Sequence, residues 1–147
     1  MEAVETIEVD VPVRTAYNQW TQFEEFPRFM EGVEEVRQVD DTHLHWRARI
    51  GGVEREWDAA ITEQVPDDHI QWRSLSGAEN AGTVWFRPVD ADHTEVRLAL
   101  TFEPEGVVEK TGDALGVVHR RVRGDLENFK EMIEDRGTES GGWRGRV

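Results

Sequence analysis

Polar and apolar residues alternate from residue 5 to residue 11, with Ile7, Val9 and Val11 on one side and Thr6, Glu8 and Asp10 on the other. A period of two is the signature of a half-buried strand. Asp10 ahead of Pro12 marks the start of a helix carrying Ala16, Tyr17 and Trp20, because a proline in the first turn gives up no N–H that the helix needs. Residues 23–30, Phe-Glu-Glu-Phe-Pro-Arg-Phe-Met, predict a second short helix, interrupted or started by Pro27.

From residue 33 to residue 102 the pattern is that of strands. Residues 33–39 form the first and least clearly patterned of them. Gly51-Gly52 then separates two alternating runs, and this dipeptide suits the positive φ angles of a two-residue hairpin turn. Counting outward from that turn places Ile50 opposite Val53, Ala48 opposite Arg55, Trp46 opposite Trp57 and Leu44 opposite Ala59 on one face. The other face pairs Arg49 with Glu54, Arg47 with Glu56 and His45 with Asp58. One side is thus apolar and aromatic, and the other is three complementary polar pairs.

Pro66-Asp67-Asp68 turns the chain into residues 70–75. Residues 82–89 and 94–102 make a last hairpin around 90–93. Thr94, Val96, Leu98, Leu100 and Phe102 share a face of its second strand, while the loop length leaves either Trp85 or Phe86 as the inward residue. After residues 103–106 end the sheet, the period becomes helical from about 107 to 136. Leu115, Val118, His119, Val122, Leu126, Phe129 and Ile133 form one stripe at three- and four-residue steps, with a break before Leu115 allowed by the glycines. Residues 137–147 are Gly-rich and are expected to be a disordered tail.

The order is strand, two short helices, six strands, long helix. A sheet with one apolar face must bury it, and the long amphipathic helix is the element able to cover it. The expected fold is therefore α+β, of the helix-grip kind: a curved antiparallel sheet of six to seven strands around a C-terminal helix. At 147 residues one domain over 1–136 suffices.

Composition narrows the function classes. A net charge of −14, from 31 acidic and 17 basic residues, repels phosphate backbones and anionic lipid, which argues against nucleic-acid partners and electrostatic membrane docking. Lys110 and Lys130 are the only lysines. Such a surface suits a high-salt cytoplasm, although a GC-rich genome accounts equally well for the arginine bias. No stretch approaches the length of an integral membrane segment and no signal peptide is visible, so a cytoplasmic protein is expected. Cysteine is absent, which removes thiolate chemistry and cysteine-ligated metals. His43 and His45 offer at most two ligands to a metal, fewer than a zinc site needs. No metal site and no cofactor are expected. Nothing in the pattern fixes the oligomeric state.

Val9-Asp10-Val11-Pro12 with Ala16, Tyr17 and Trp20, the Phe26-Pro27-Arg28-Phe29-Met30 segment, and the Gly82-Thr83-Val84-Trp85-Phe86 strand with its Thr94-Glu95-Val96 return together resemble the START-like, or SRPBCC, superfamily, and within it the polyketide cyclase/dehydrase group. The resemblance spans residues 4–136. It implies a small hydrophobic ligand (a lipid, polyketide or quinone-like compound) bound between the sheet and the last helix. Some such proteins are aromatase/cyclases. Those carry a serine and an arginine two and four positions after a strand tryptophan, and a tyrosine after the Phe-Pro segment. In this chain the matching positions hold Ala59 and Ile61 after Trp57, and Val33. The resemblance thus points to binding without catalysis.

Trp46, Trp57 and Trp72 are the candidate aromatic wall of the pocket, against the alternative of plain core packing. Ser74 shares the parity of Trp72, and Phe29 and Leu115 complete the candidate ligand-binding set. Arg55 is a lone charge on the apolar side of the hairpin, fitted either to hold a ligand oxyanion or to reach solvent over apolar surface. His119 interrupts the apolar stripe of the long helix as a candidate base or as a hydrogen-bonded core residue. Arg55 and His119 would be the catalytic pair of a cyclase or dehydratase. A third reading, a protein-interaction module, would be supported by an exposed patch of Phe23, Phe26, Phe29 and Met30.

Overall fold

In a computed structural model, the structure describes residues 2–50, 52–77, 79–102 and 114–147, without the side chains of Ile50, Ala114 and Leu115. The elements are β1 (Glu2–Val9), α1 (Val13–Trp20), a 3-10 helix (Phe23–Arg28), β2 (Val33–Gln38), β3 (His43–Ile50), β4 (Val53–Val65), β5 (His69–Ser74), β6 (Asn80–Asp90), β7 (His93–Phe102) and α2 (Ala114–Arg136). The seven strands form one antiparallel sheet in the order β1-β7-β6-β5-β4-β3-β2. The sheet curls around α2, which buries Val122, Leu126, Phe129 and Ile133 against it. This is the helix-grip arrangement.

The β3–β4 hairpin has the register that counting from its turn predicts. Ile50 lies opposite Val53, Ala48 opposite Arg55, Trp46 opposite Trp57, and Leu44 opposite Ala59. Leu44, Trp46, Ala48, Trp57 and Ala59 are buried on the inner face, while His45 bonds Asp58 and Glu56 on the outer one. Gly52 has a φ of +81°, as such a turn requires; Gly51 lies outside the described residues.

The last hairpin closes as Asp90 opposite His93, with a bulge between Pro88 and Asp90. That register places Phe86 opposite Val96 in the core, while Trp85 stays 39% exposed. Arg97 covers the Trp85 ring at 5.6 Å.

The first helix starts where the pattern predicts, and the form of the second is corrected. Pro12 itself caps α1, whose first bond runs from Ala16 N–H to the Pro12 carbonyl; the Asp10 side chain does not cap it. Pro27 lies within the 3-10 helix rather than starting or breaking an α-helix. Gly137, at φ +73°, ends α2 by donating to the Ile133 carbonyl. The tail then runs along the polar side of α1. Ser140 N–H donates to Gln19, Trp143 N–H to Thr21, and Asn18 to Glu139. Val147 exchanges two backbone hydrogen bonds with Gln64. A 13-residue β4 outruns an 8-residue β3, so its far end has backbone groups that β3 does not reach, and the tail supplies partners for them. The expectation that the long helix begins near residue 107 lies outside the described residues up to 113.

Candidate functional site

The inner wall of the sheet is built by strand parity. Residues at alternate positions of neighbouring strands face the same side, so Trp46 on β3, Trp57 and Ile61 on β4, Trp72 on β5 and Leu98 on β7 all turn inward. Trp46 and Trp57 stack with ring centroids 5.7 Å apart and planes 9° from parallel. They are 5% and 8% exposed, and neither indole N–H has a hydrogen-bond partner among the described residues. Trp72 lies opposite Gly82. A Cβ at residue 82 would stand 2.4 Å from the Trp72 ring, so the glycine makes room for the indole. Ala59 and Ile61 are buried on this same wall.

The other expected site residues lie in different surroundings. Phe29 sits within 5.5 Å of Trp20, 5.4 Å of Phe26 and 5.2 Å of Phe129, in an aromatic cluster beneath the C-terminal half of α2. Phe23, Phe26 and Met30 are buried with it. Their burial removes the exposed patch that would have supported the interaction-module reading. Ser74 is half-buried and accepts the Asn80 N–H at 3.0 Å, anchoring the β5–β6 connection. Arg55 is half-buried opposite Ala48, near the hairpin tip. His119 holds its Nδ1 3.2 Å from Glu5 on β1, and Arg123 approaches the same carboxylate at 3.7 Å. The side chain of Leu115 lies outside the described residues. His43 pairs with Asp40, and among the described residues no three His, Asp or Glu side chains converge as metal ligands. Nor is any described helix long and apolar enough to cross a membrane.

Sequence reading passed over a second cluster. Three side chains of α2, at 121, 125 and 128, hold three backbone groups of the chain after the 3-10 helix. Arg121 donates to the Glu31 carbonyl, Asp125 accepts the Glu31 N–H at 3.2 Å, and Asn128 donates to the Phe29 carbonyl at 3.2 Å. Burial pushes the Asp125 carboxyl up to about 7, against the opposing pull of Arg121 and the Glu31 N–H. The visible signal was a carboxylate three residues after Val122 and beside Leu126, on the margin of an otherwise apolar stripe. A cleft of about 280 Å³ opens beside this clamp, lined by Glu31, Val117, Arg120, Arg121, Gly124 and Asp125.

Comparison with known proteins agrees with the fold and with the resemblance. The chain is 57% identical over 144 residues, 97% of its own length and 96% of the other's, to an uncharacterised 17.2 kDa protein from the melC2–rnhH intergenic region of Streptomyces lincolnensis. The Zhui aromatase/cyclase from Streptomyces sp. R1128 superposes with a TM-score of 0.75 at 16% identity, covering 97% of this chain and 99% of that one. A START superfamily protein from Mycobacterium smegmatis superposes with a TM-score of 0.73 at 17% identity, covering 90% and 98%. At those identities the two structures speak for the fold alone. The family model described as polyketide cyclase/dehydrase and lipid transport matches residues 9–131, and it is to this family that the chain belongs.

Proposed function

We propose that the protein binds a small hydrophobic molecule, of lipid, polyketide or quinone type, between the sheet and α2, and releases it chemically unchanged. The observation that carries this reading is the stacked Trp46–Trp57 pair on the inner wall, with two enclosed indole donors and no acceptor for either among the described residues. Burying an unpartnered donor costs about 1–3 kcal/mol, a cost that an apolar side chain would avoid. A flat ligand bearing an oxygen offers both a stacking partner and an acceptor. Ala59 and Ile61 support binding without catalysis, since they give a reacting carbonyl no proton donor and no charge. Native mass spectrometry of the purified protein with a panel of fatty acids, sterols, quinones and polyketide aromatics tests the reading. A hit that Trp57→Ala weakens about tenfold is the expected result; a panel without any retained compound argues against it.

The hydrogen bond between His119 and Glu5 favours a second reading, a cyclase- or dehydratase-type enzyme in which His119 moves protons and Arg55 steadies an oxyanion. Under that reading His119→Ala and Arg55→Ala each abolish turnover of an aromatic polyketide while the thermal transition is retained.

A further inference from the structure

The chain from Gly137 onward is held to α1 and to the far end of β4 mainly by polar groups. Ser140 N–H donates to Gln19 at 2.8 Å, Trp143 N–H to Thr21 at 3.0 Å, and Asn18 to Glu139 at 2.9 Å. Val147 exchanges backbone bonds of 3.1 and 3.2 Å with Gln64. Among the described residues, none of 137–147 enters the hydrophobic core. The close fit is nevertheless written into the chain. A Cβ at residue 142 would stand 2.7 Å from Asn18 Cγ, so the tail lies this near α1 only because residue 142 is glycine.

What lies beneath the tail works against it. Asn18, Gln19 and Thr21 are polar yet buried. Tyr17, under Arg144, keeps a buried hydroxyl beside the Gln64 amide. Neither that hydroxyl nor either polar atom of the Gln64 side chain forms a well-aligned hydrogen bond among the described residues. Asp67 gives one carboxylate oxygen to Arg144 and keeps the other buried without a partner. Polar groups buried in this way favour any state in which water reaches them, and the tail's own hydrogen bonds give way to water at small net cost. The docked tail is therefore favoured only modestly over a lifted one.

The element that the tail holds down is also a plug. Trp20 of α1 lies between Phe86 of the sheet and Phe129 of α2, with ring centroids 6.2 and 4.9 Å away. It thus fills the space between sheet and helix from one side. α1 has eight residues and no side-chain cap at its N-terminus, and a helix so short has little stability of its own. We propose that the tail is a releasable strap over α1, whose lifting lets α1 swing aside so that a ligand enters or leaves the space between the sheet and α2. The ligand is that of the proposed function above, on which this gate rests. Gly137, at φ +73° and with nothing within 4 Å of an added Cβ, is the hinge, free to turn without disturbing the packing of α2.

The chain contains no cysteine, so one engineered bond can lock the strap. A Cβ at residue 142 would lie 3.0 Å from Asn18 Cβ, slightly inside the roughly 3.5–4.5 Å of a disulfide. Stopped-flow fluorescence of N-phenyl-1-naphthylamine with the protein carrying Asn18→Cys and Gly142→Cys, oxidised and reduced, tests the gate. Oxidation is expected to slow probe entry and exit together by about tenfold, the scale of one or two net hydrogen bonds, and to shift the dissociation constant less than about twofold. A barrier on the path leaves its two end states alone. Reduction should restore both rates, and truncation after Gly137, which removes the strap without new side chains, should raise both above those of the parent. Equal rates in the oxidised and reduced forms, or unchanged rates in the truncated chain, overturn the gate and leave the hydrophobic cup standing. A change in one rate and in the dissociation constant overturns it too, because the bond then acts on the site rather than on its access. Failure of the parent protein to retain the probe overturns the gate and counts against the cup as well.

Discussion

Arg144 lies over the ring of Tyr17, its guanidinium carbon 5.6 Å from the ring centroid, and in that position it also donates to Asn18 and pairs with Asp67, each at 2.7 Å. One side chain of the C-terminal tail thus ties α1 to the β4–β5 turn. Arg144→Ala is expected to destabilise the protein by about 1–2 kcal/mol, the scale of a cation–π contact with charge-assisted hydrogen bonds. Truncation after Gly137 removes the partners of Asn18, Gln19 and Thr21 as well and should cost more. Urea unfolding of both variants checks the order.

Gly82→Ala is expected to be destabilising by about 1–3 kcal/mol, although alanine is the smallest possible addition. The new methyl would enter the space of the Trp72 ring, and overpacking a filled wall forces side chains off their preferred rotamers. A shift in tryptophan fluorescence alongside the loss in thermal stability would tie the effect to the indole.

Acidity should favour the folded state down to about pH 4–5. Asp125 has a folded pKa raised by burial, so between its ordinary value of 3.8 and about 7 the folded protein holds a proton that the unfolded chain gives up. Its contribution is thus unfavourable at high pH and fades as the pH falls. His45, held by Asp58 and Glu56, and His93, held by Asp90, have raised pKa values. So does His69, where Asp68 and Glu63 outweigh the opposing effect of burial. Their stabilisation is complete below about 6.5 and is lost as pH rises through the folded pKa. Asp40, Asp58, Asp90 and Glu95 have lowered values, so their contribution disappears only below about pH 4. Thermal unfolding across pH 3–9 should therefore peak near pH 5, and a maximum at pH 8 would contradict the assignment.

Asp125→Asn isolates one part of that curve. The amide oxygen can still accept the Glu31 N–H, while no charge is buried. At pH 8 the variant should be at least as stable as the parent, by up to a few kcal/mol, and the gain should vanish near pH 5. Denaturant midpoints at the two pH values decide it.

Much of this structure was legible where periodicity and partner chemistry coincide. The β3–β4 hairpin could be registered residue by residue because a one-residue slip would have buried Arg47 and exposed Trp46. The placement of Phe29 was not legible, since apolar residues near a proline look alike whether they meet solvent, ligand or one another. Trp85 and Phe86 differ only by parity, which the bulge near Pro88 sets. The tail eluded composition for another reason: its partners, Asn18, Gln19, Thr21 and Gln64, lie far away in sequence, and Gly-rich chain gives no sign of the polar groups it will satisfy. Asp125 was hidden because a carboxylate beside an apolar stripe reads as its solvated margin.

The strand order has a consequence for how the molecule comes together. Strands β2 to β7 are joined by successive hairpins, each able to form from neighbouring residues, whereas Glu2 finds its partner only at Thr101 and Val9 at Thr94. During synthesis the first strand to leave the ribosome must wait for the last one before it can pair. It closes a loop of most of the chain when it does, which places the slowest step of assembly at the pairing of the sheet's first strand with its last.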